Sequence, residues 1–229
     1  FLPWVSFRLK LADFWIRHRR FPLFSLPADL INSVSWQLPL VLIASRFGAE
    51  SSGYFALAIR VLGAPVGMLG NAILDVFKRK ASSSFRENGN CTPDFLSVLR
   101  ILTVFSVFFA LAGSVLVEEL FALVYGESWR RAGEVATWLL PLFAFRFVAS
   151  PLSYVFYLAQ GQSVDLLWQC VLLIMTVTCL VFGKDFESAV AAYAAGYSAL
   201  YAVYLYLAYR FSKGLWTRSV VAVSEKDKV

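Results

Sequence analysis

Histidine is all but missing from this sequence, and the one copy, His18, stands in a basic run. Chemistry that needs an imidazole base or a histidine metal cluster therefore has almost nothing to work with. Cysteine is as scarce. Cys91, Cys170 and Cys179 are the full complement, two of them inside an apolar stretch and none in a CxxC arrangement, which excludes a disulfide scaffold and a zinc site. Charge is thin too, at 16% of 229 residues, where soluble domains carry about 25%. What fills the space is apolar: 59% of residues, with a mean hydropathy of +0.65. That composition excludes a soluble enzyme and a disordered tail and points to a membrane protein.

Six apolar stretches are long enough to cross about 30 Å of hydrocarbon, near residues 24–46, 52–77, 96–120, 133–159, 163–183 and 187–211. Helices are the expected form, because barrel strands are shorter and alternate strictly, and Leu102 to Leu116 does not alternate. The fold class is thus all-α: a cytoplasmic amphipathic basic segment over 1–21, a six-helix transmembrane lobe over 22–211 and a basic tail over 212–229. In the first segment Phe7, Leu11, Phe14 and Trp15 stand against Arg8, Arg17 and Arg19, a pattern suited to lying on a leaflet. It is too weakly apolar for a signal peptide.

Fourteen lysines and arginines fall in the two ends and the 78–93 connection, against Arg46, Arg130, Arg131 and Lys184 in the alternate connections. The positive-inside rule places both ends in the cytoplasm. The net charge of +6 is accounted for by these span ends and by anionic headgroups, with no nucleic-acid partner. The sequence does not open on methionine, and a basic segment running straight into a span reads as a fragment of a larger protein.

Two arginines lie inside spans, where a charge costs at least about 2.5–3.5 kcal/mol unless it has a partner, water or a task. Helical spacing from Arg60 gives Gly63, Gly67, Gly70, Asn71 and Lys78; from Arg146 it gives Ser150, Ser153, Tyr157 and Gln160. Both helices thus present one wet face. The first span adds Ser25, Asp29, Asn32, Trp36 and Gln37, and the sixth adds Tyr193, Tyr197, Tyr201 and Tyr204. Those tyrosines suit helix packing and an interfacial belt, or contact with sugar. The arginines suit structural ion pairs, with Asp29 or Asp75 nearest in kind, or the binding of a phosphate or pyrophosphate by a forked guanidinium. Gly63 and Gly67 form a GxxxG suited to helix packing. Pro27, Pro39, Pro65, Pro141 and Pro151 lie in or at the start of spans, as in kinked transporter helices and in membrane helices generally. Glu118, Glu119, Glu127 and Glu134 read as solvated helix ends, so no catalytic group, metal or cofactor is expected.

Three stretches carry a resemblance. The run Gly53 to Pro65, with Gly70-Asn71-Ala72 and Val76-Phe77, resembles the second span of the carboxy-terminal half of bacterial polysaccharide flippases. So do Phe21 to Ser25, Gln37-Leu38-Pro39 and Phe47-Gly48, while Tyr125-Gly126, Trp129, Ala132-Gly133, Leu140-Pro141 and Ser150 to Ser153 look like the loop and fourth span. These are the O-antigen and lipopolysaccharide exporters of the multidrug, oligosaccharidyl-lipid and polysaccharide superfamily.

The resemblance implies a two-lobed transporter of twelve or more spans in the bacterial inner membrane, moving an undecaprenyl-pyrophosphate-linked oligosaccharide by alternating access. The amino-terminal lobe, membrane lipids and the lipid-linked oligosaccharide would be its partners. Arg60 and Arg146 would draw in the pyrophosphate, while Asn32, Gln37, Asn71, Tyr197 and Tyr201 contact sugar or line its path. A related drug or peptidoglycan-precursor exporter shares the fold. A membrane glycosyltransferase or polymerase would need a sizeable loop with paired acids, and the longest connection is about 18 residues. For ion coupling, Asp29 and Asp75 are the candidates, although Lys78 and Arg100 are placed to pair with them.

Overall fold

The computed structural model describes residues 26–159 and 161–214, and every regular element in them is helical. The expected amphipathic segment 1–21, Ser25, Gln160 and the tail from 215 lie outside the described residues. Helix α1 runs Leu26–Asn88, α2 Thr92–Tyr125, a 3-10 turn Glu127–Trp129, α3 Arg130–Leu152, α4 Tyr154–Leu158, α5 Gln162–Phe182 and α6 Phe186–Ser212.

The 63 residues of α1 would reach about 95 Å if straight, three times the hydrocarbon thickness. They do not stay straight. Gly48 takes φ 91° and ψ 168° inside the run, and Ser52 Oγ donates back across the bend to the Leu40 carbonyl at 3.3 Å. Five helices are long and apolar enough to span a membrane, and this bend turns the first into two limbs, so the expected six passes appear as five helices. The second limb also continues past the expected end at 77. Lysine, arginine, serine and glutamate at 78–88 keep it helical, Ser83 Oγ donates to Glu87 at 2.8 Å, and the helix stops only before Gly89 at φ 68°.

Only glycine adopts the Gly48 conformation without strain, whereas a Cβ there meets nothing within 4 Å. Gly48→Ala is therefore expected to cost about 1–3 kcal/mol through the backbone alone, read as a lower midpoint of thermal unfolding in detergent. An unchanged midpoint would mean that the bend relaxes freely.

α3 is the central helix. It packs on α1, α2 and α6 and buries Val135, Leu139, Phe143, Ala149 and Leu152. A helix enclosed on so many sides is apolar nearly all round, with no single apolar stripe. Its run ends just beyond Pro151, and α4 restarts after Ser153.

The two ends of the bundle are tied differently. At one, Arg130 grips Glu119 at 2.6 Å and Glu127 at 2.9 Å, Arg131 reaches Glu134 and Glu187, and Arg46 donates to the carbonyls of Leu180, at 2.8 Å, and Val181. Asp185 caps α6, and the Ser188 backbone N–H holds its carboxyl below the usual range. At the other end the Cys91 N–H donates to the Ser212 carbonyl at 2.9 Å. Burial pushes the Cys91 thiol up to about 11, so it stays protonated at neutral pH. Arg46, Arg130 and Arg131 thus share one end and the 89–91 turn meets the end of α6 at the other, the same partition as the charge count. The protein is a multi-pass membrane protein.

Candidate anion-binding cleft

Arg146 of α3 lies against the first limb of α1, its guanidinium carbon 3.4 Å from the centre of the Trp36 ring. That is a close cation–π contact. Trp36 is held in turn by its Nε1–H, which donates to Asn32 Oδ1 one turn earlier at 3.1 Å, and by ring contacts with Phe143 and Tyr197 at 6.5 and 6.0 Å. Among the described residues no carboxylate comes within ion-pair distance of Arg146. Its electrostatic neighbours are Tyr193, Tyr197 and Tyr201 of α6. A half-buried guanidinium faced by a ring and hydroxyls, with no counter-ion among the described residues, offers forked donors of the kind that pair with oxyanions.

The guanidinium opens onto a cleft of about 120 Å³. Ser150 of α3 and Ser153 just past its end extend the cleft wall at the spacing expected from Arg146, and Asn32 and Trp36 close the α1 side. The opposite wall is Trp168 and Gln169 of α5 with Tyr201 and Tyr204 of α6. Gln169 Oε1 is buried there with no hydrogen-bond partner, an acceptor left open beside the space. The Tyr204 hydroxyl donates to Asp165 Oδ1 at 2.9 Å.

The structure thus gathers Asn32, Arg146 and Tyr201 at one cleft. Tyr197 is 1% exposed and stands behind it, packed between Tyr193 and Tyr201 and accepting from Thr176 Oγ1 at 3.3 Å. The tyrosine stripe divides accordingly: Tyr193 and Tyr197 pack in the core, while Tyr201 and Tyr204 line the cleft. Arg60, Gln37 and Asn71 are not in it. Arg60 and Asn71 are exposed on the second limb of α1, along one stripe with Gly67 and Asp75, and Gln37 is exposed on the first limb.

Of the expected helix contacts, Gly63 faces Phe143, whose ring would be 3.5 Å from a Cβ, while Gly67 faces open space. Asp75 pairs with Lys78 at 3.9 Å, as the sequence suggests, and Arg60 has no such partner among the described residues. An unpaired guanidinium on the outside of a span needs water or protein beside it.

Trp168, Gln169 and Asp165 were not singled out in the sequence. Asp165 is the third residue of the expected fifth span and looks like a flank; its one-turn spacing to Gln169 was the available signal. A second, larger groove of about 590 Å³ lies between the second limb of α1, α2 and α3. Its lining, including Leu69, Phe105, Phe108 and Leu140, is wholly apolar, so it holds nothing that orients a charged headgroup.

A family model described as polysaccharide biosynthesis protein matches residues 17–134, just over half of the chain. The match takes in Asn32, Trp36, Arg60 and Asn71 and stops before Arg146. The chain is also similar to the teichuronic acid biosynthesis protein TuaB of Bacillus subtilis (strain 168), at 27% identity over 170 residues, covering 71% of this chain and 35% of that protein. The chain therefore spans about a third of the length of this relative. No solved structure matches it.

Proposed function

The chain belongs to the polysaccharide biosynthesis protein family, and from that premise we propose that it is one lobe of a flippase carrying an undecaprenyl-pyrophosphate-linked oligosaccharide across the bacterial inner membrane. The observation that carries this reading is Arg146: a guanidinium over the Trp36 ring, facing a small polar cleft, with no carboxylate among the described residues to neutralise it. Pyrophosphate matches that vacancy of charge, since its oxygens accept the forked N–H donors in pairs.

Asn32, Tyr201 and Gln169 supply hydrogen-bonding groups around the anion, suited to the first sugar of the cargo. Arg60 and Asn71 face outward on the second limb, where water in a cavity between two lobes would solvate them. Similarity to a protein of teichuronic acid biosynthesis supports a polysaccharide precursor as cargo. On this reading the protein binds and moves its ligand without covalent chemistry, and the basic ends face the cytoplasm.

The test is saturable binding of farnesyl pyrophosphate to the chain in lipid nanodiscs, with farnesol as the uncharged control. Pyrophosphate is expected to bind and to be displaced by inorganic pyrophosphate, and Arg146→Gln is expected to lose that binding. Equal affinity for the alcohol, or full affinity in Arg146→Gln, would remove the anion site.

A further inference from the structure

Asp165 is the only carboxylic acid among the buried residues described, at 9% exposure. It sits in the first turn of α5, and no lysine or arginine stands within ion-pair distance among the described residues. The described residues therefore hold two charges of opposite sign in one bundle, the half-buried Arg146 and the buried Asp165, neither with an ion-pair partner among them. Tyr204 links the carboxylate to the cleft: its ring forms part of the cleft wall, tilted against Trp168 with ring centres 4.9 Å apart, and its hydroxyl donates to Asp165 Oδ1. The acids expected for ion coupling are placed otherwise, since Asp29 and Asp75 are exposed and Asp75 pairs with Lys78.

We infer that Asp165 is the proton-accepting partner of the anion site, so that an anion at Arg146 and a proton on Asp165 favour one another. This rests on the anion-site reading. With the cleft empty, the guanidinium and the carboxylate leave the region neutral. An arriving anion adds negative charge near a carboxylate that is itself buried, where solvent screens it poorly. Uptake of one proton from water by the Asp165 carboxylate restores the balance. The proton forms an O–H bond on Asp165, which can then donate to the Tyr204 oxygen, and Tyr204 is released to turn its own hydroxyl proton toward the anion. No bond other than that O–H is made, and Tyr204 keeps its proton throughout.

The groups that face Asp165 fit this role. Gln169 on its own helix carries the open acceptor, Tyr204 comes from α6, the exposed Asp29 lies within electrostatic reach from α1, and half-buried Tyr157 does so from α4. Arg146 of α3 is the positive charge across the cleft. Tyr204 and Gln169 hydrogen-bond the carboxylate, but among the described residues no cation touches it, so a proton is what cancels its charge beside a bound anion.

The coupling is reciprocal. Affinity for the anion should fall as pH rises, by up to about tenfold per pH unit where one full proton is linked, and Asp165→Asn should flatten that dependence. The experiment is calorimetric titration of the chain in nanodiscs with farnesyl pyrophosphate, at several pH values and in buffers of different ionisation enthalpy, which reads protons taken up per ligand. Wild type is expected to take up more protons than Asp165→Asn, the remainder in the variant belonging to the pyrophosphate itself. Ligand-induced infrared difference spectra of wild type should gain a protonated-carboxyl band, a readout that does not depend on the variant folding. Equal proton uptake in both proteins, or no carboxyl band, overturns the proton site while leaving the anion site standing. Absence of pyrophosphate binding by wild type overturns the anion site and this inference with it.

Discussion

Arg146→Met is expected to make the chain more stable and unable to hold pyrophosphate. A half-buried charge with no counter-ion among the described residues keeps part of its desolvation cost, and the Trp36 ring offsets only some of that. Methionine is unbranched and polarizable, fills the same path along α3 and packs on Trp36 through sulfur. Removing the charge should raise stability by about 1–3 kcal/mol, in the range found when buried ionic groups give way to apolar ones. The same change deletes every forked donor from the cleft, and truncating one partner of an enclosed charge pair costs about 2–5 kcal/mol. Affinity for farnesyl pyrophosphate should therefore fall by about a hundredfold or more.

Thermal unfolding in detergent and ligand titration, run on the same preparation, separate the two effects. Arg146→Lys is the companion variant: it keeps the charge but loses the planar fork and the stack, so binding should weaken without vanishing. A methionine variant that unfolds earlier than wild type would instead assign the arginine to structure.

The second large effect is expected at the seam between α2 and α3. A Cβ on Gly133 would stand 2.7 Å from Glu118 Cα and 3.3 Å from the Glu118 carbonyl oxygen. Both are main-chain atoms of α2 and cannot swing aside. The seam is also tied there by Thr137 Oγ1, which donates to Glu118 at 3.2 Å. Gly133→Ala must push the two helices apart and should cost about 1–3 kcal/mol, and Gly133→Leu should prevent the lobe from assembling.

Gly113 provides the contrast, because the atom 2.7 Å from its Cβ position is Leu140 Cδ2, the end of a side chain that can change rotamer. Gly113→Ala should therefore cost less. Unfolding midpoints of the two alanine variants decide it, and equal losses would mean that the backbone of α2 yields as readily as a leucine. The seam bears on the proposed site because α2 runs along α3 from Gly133 to Ala144, and α3 carries Arg146.

Hydrophobic length and charge placement were enough to read the membrane class, the helical passes and the grouping of Arg46, Arg130 and Arg131 at one end, because each depends on local composition along the chain. Arg146 was legible for the same reason: a guanidinium inside an apolar run is anomalous wherever the run packs. The pairing of Ser150 and Ser153 with it follows from helical spacing alone.

Other features were decided only when helices distant in sequence came together. Arg60 and Arg146 look equivalent as lone arginines in spans, yet one lies on an outer face and the other against Trp36, since helical periodicity tells which residues share a face and not what that face meets. Trp36 reads as one member of a polar stripe, and only the approach of α1 to α3 makes it the ring beneath the guanidinium. Asp165 has the look of a flanking charge until α6 brings Tyr204 to it. The sequence by itself determined a helical membrane protein with an arginine that needs a reason. The tertiary structure decided what surrounds that arginine, because enclosure, counter-charge and hydrogen-bond partners are properties of several helices at once.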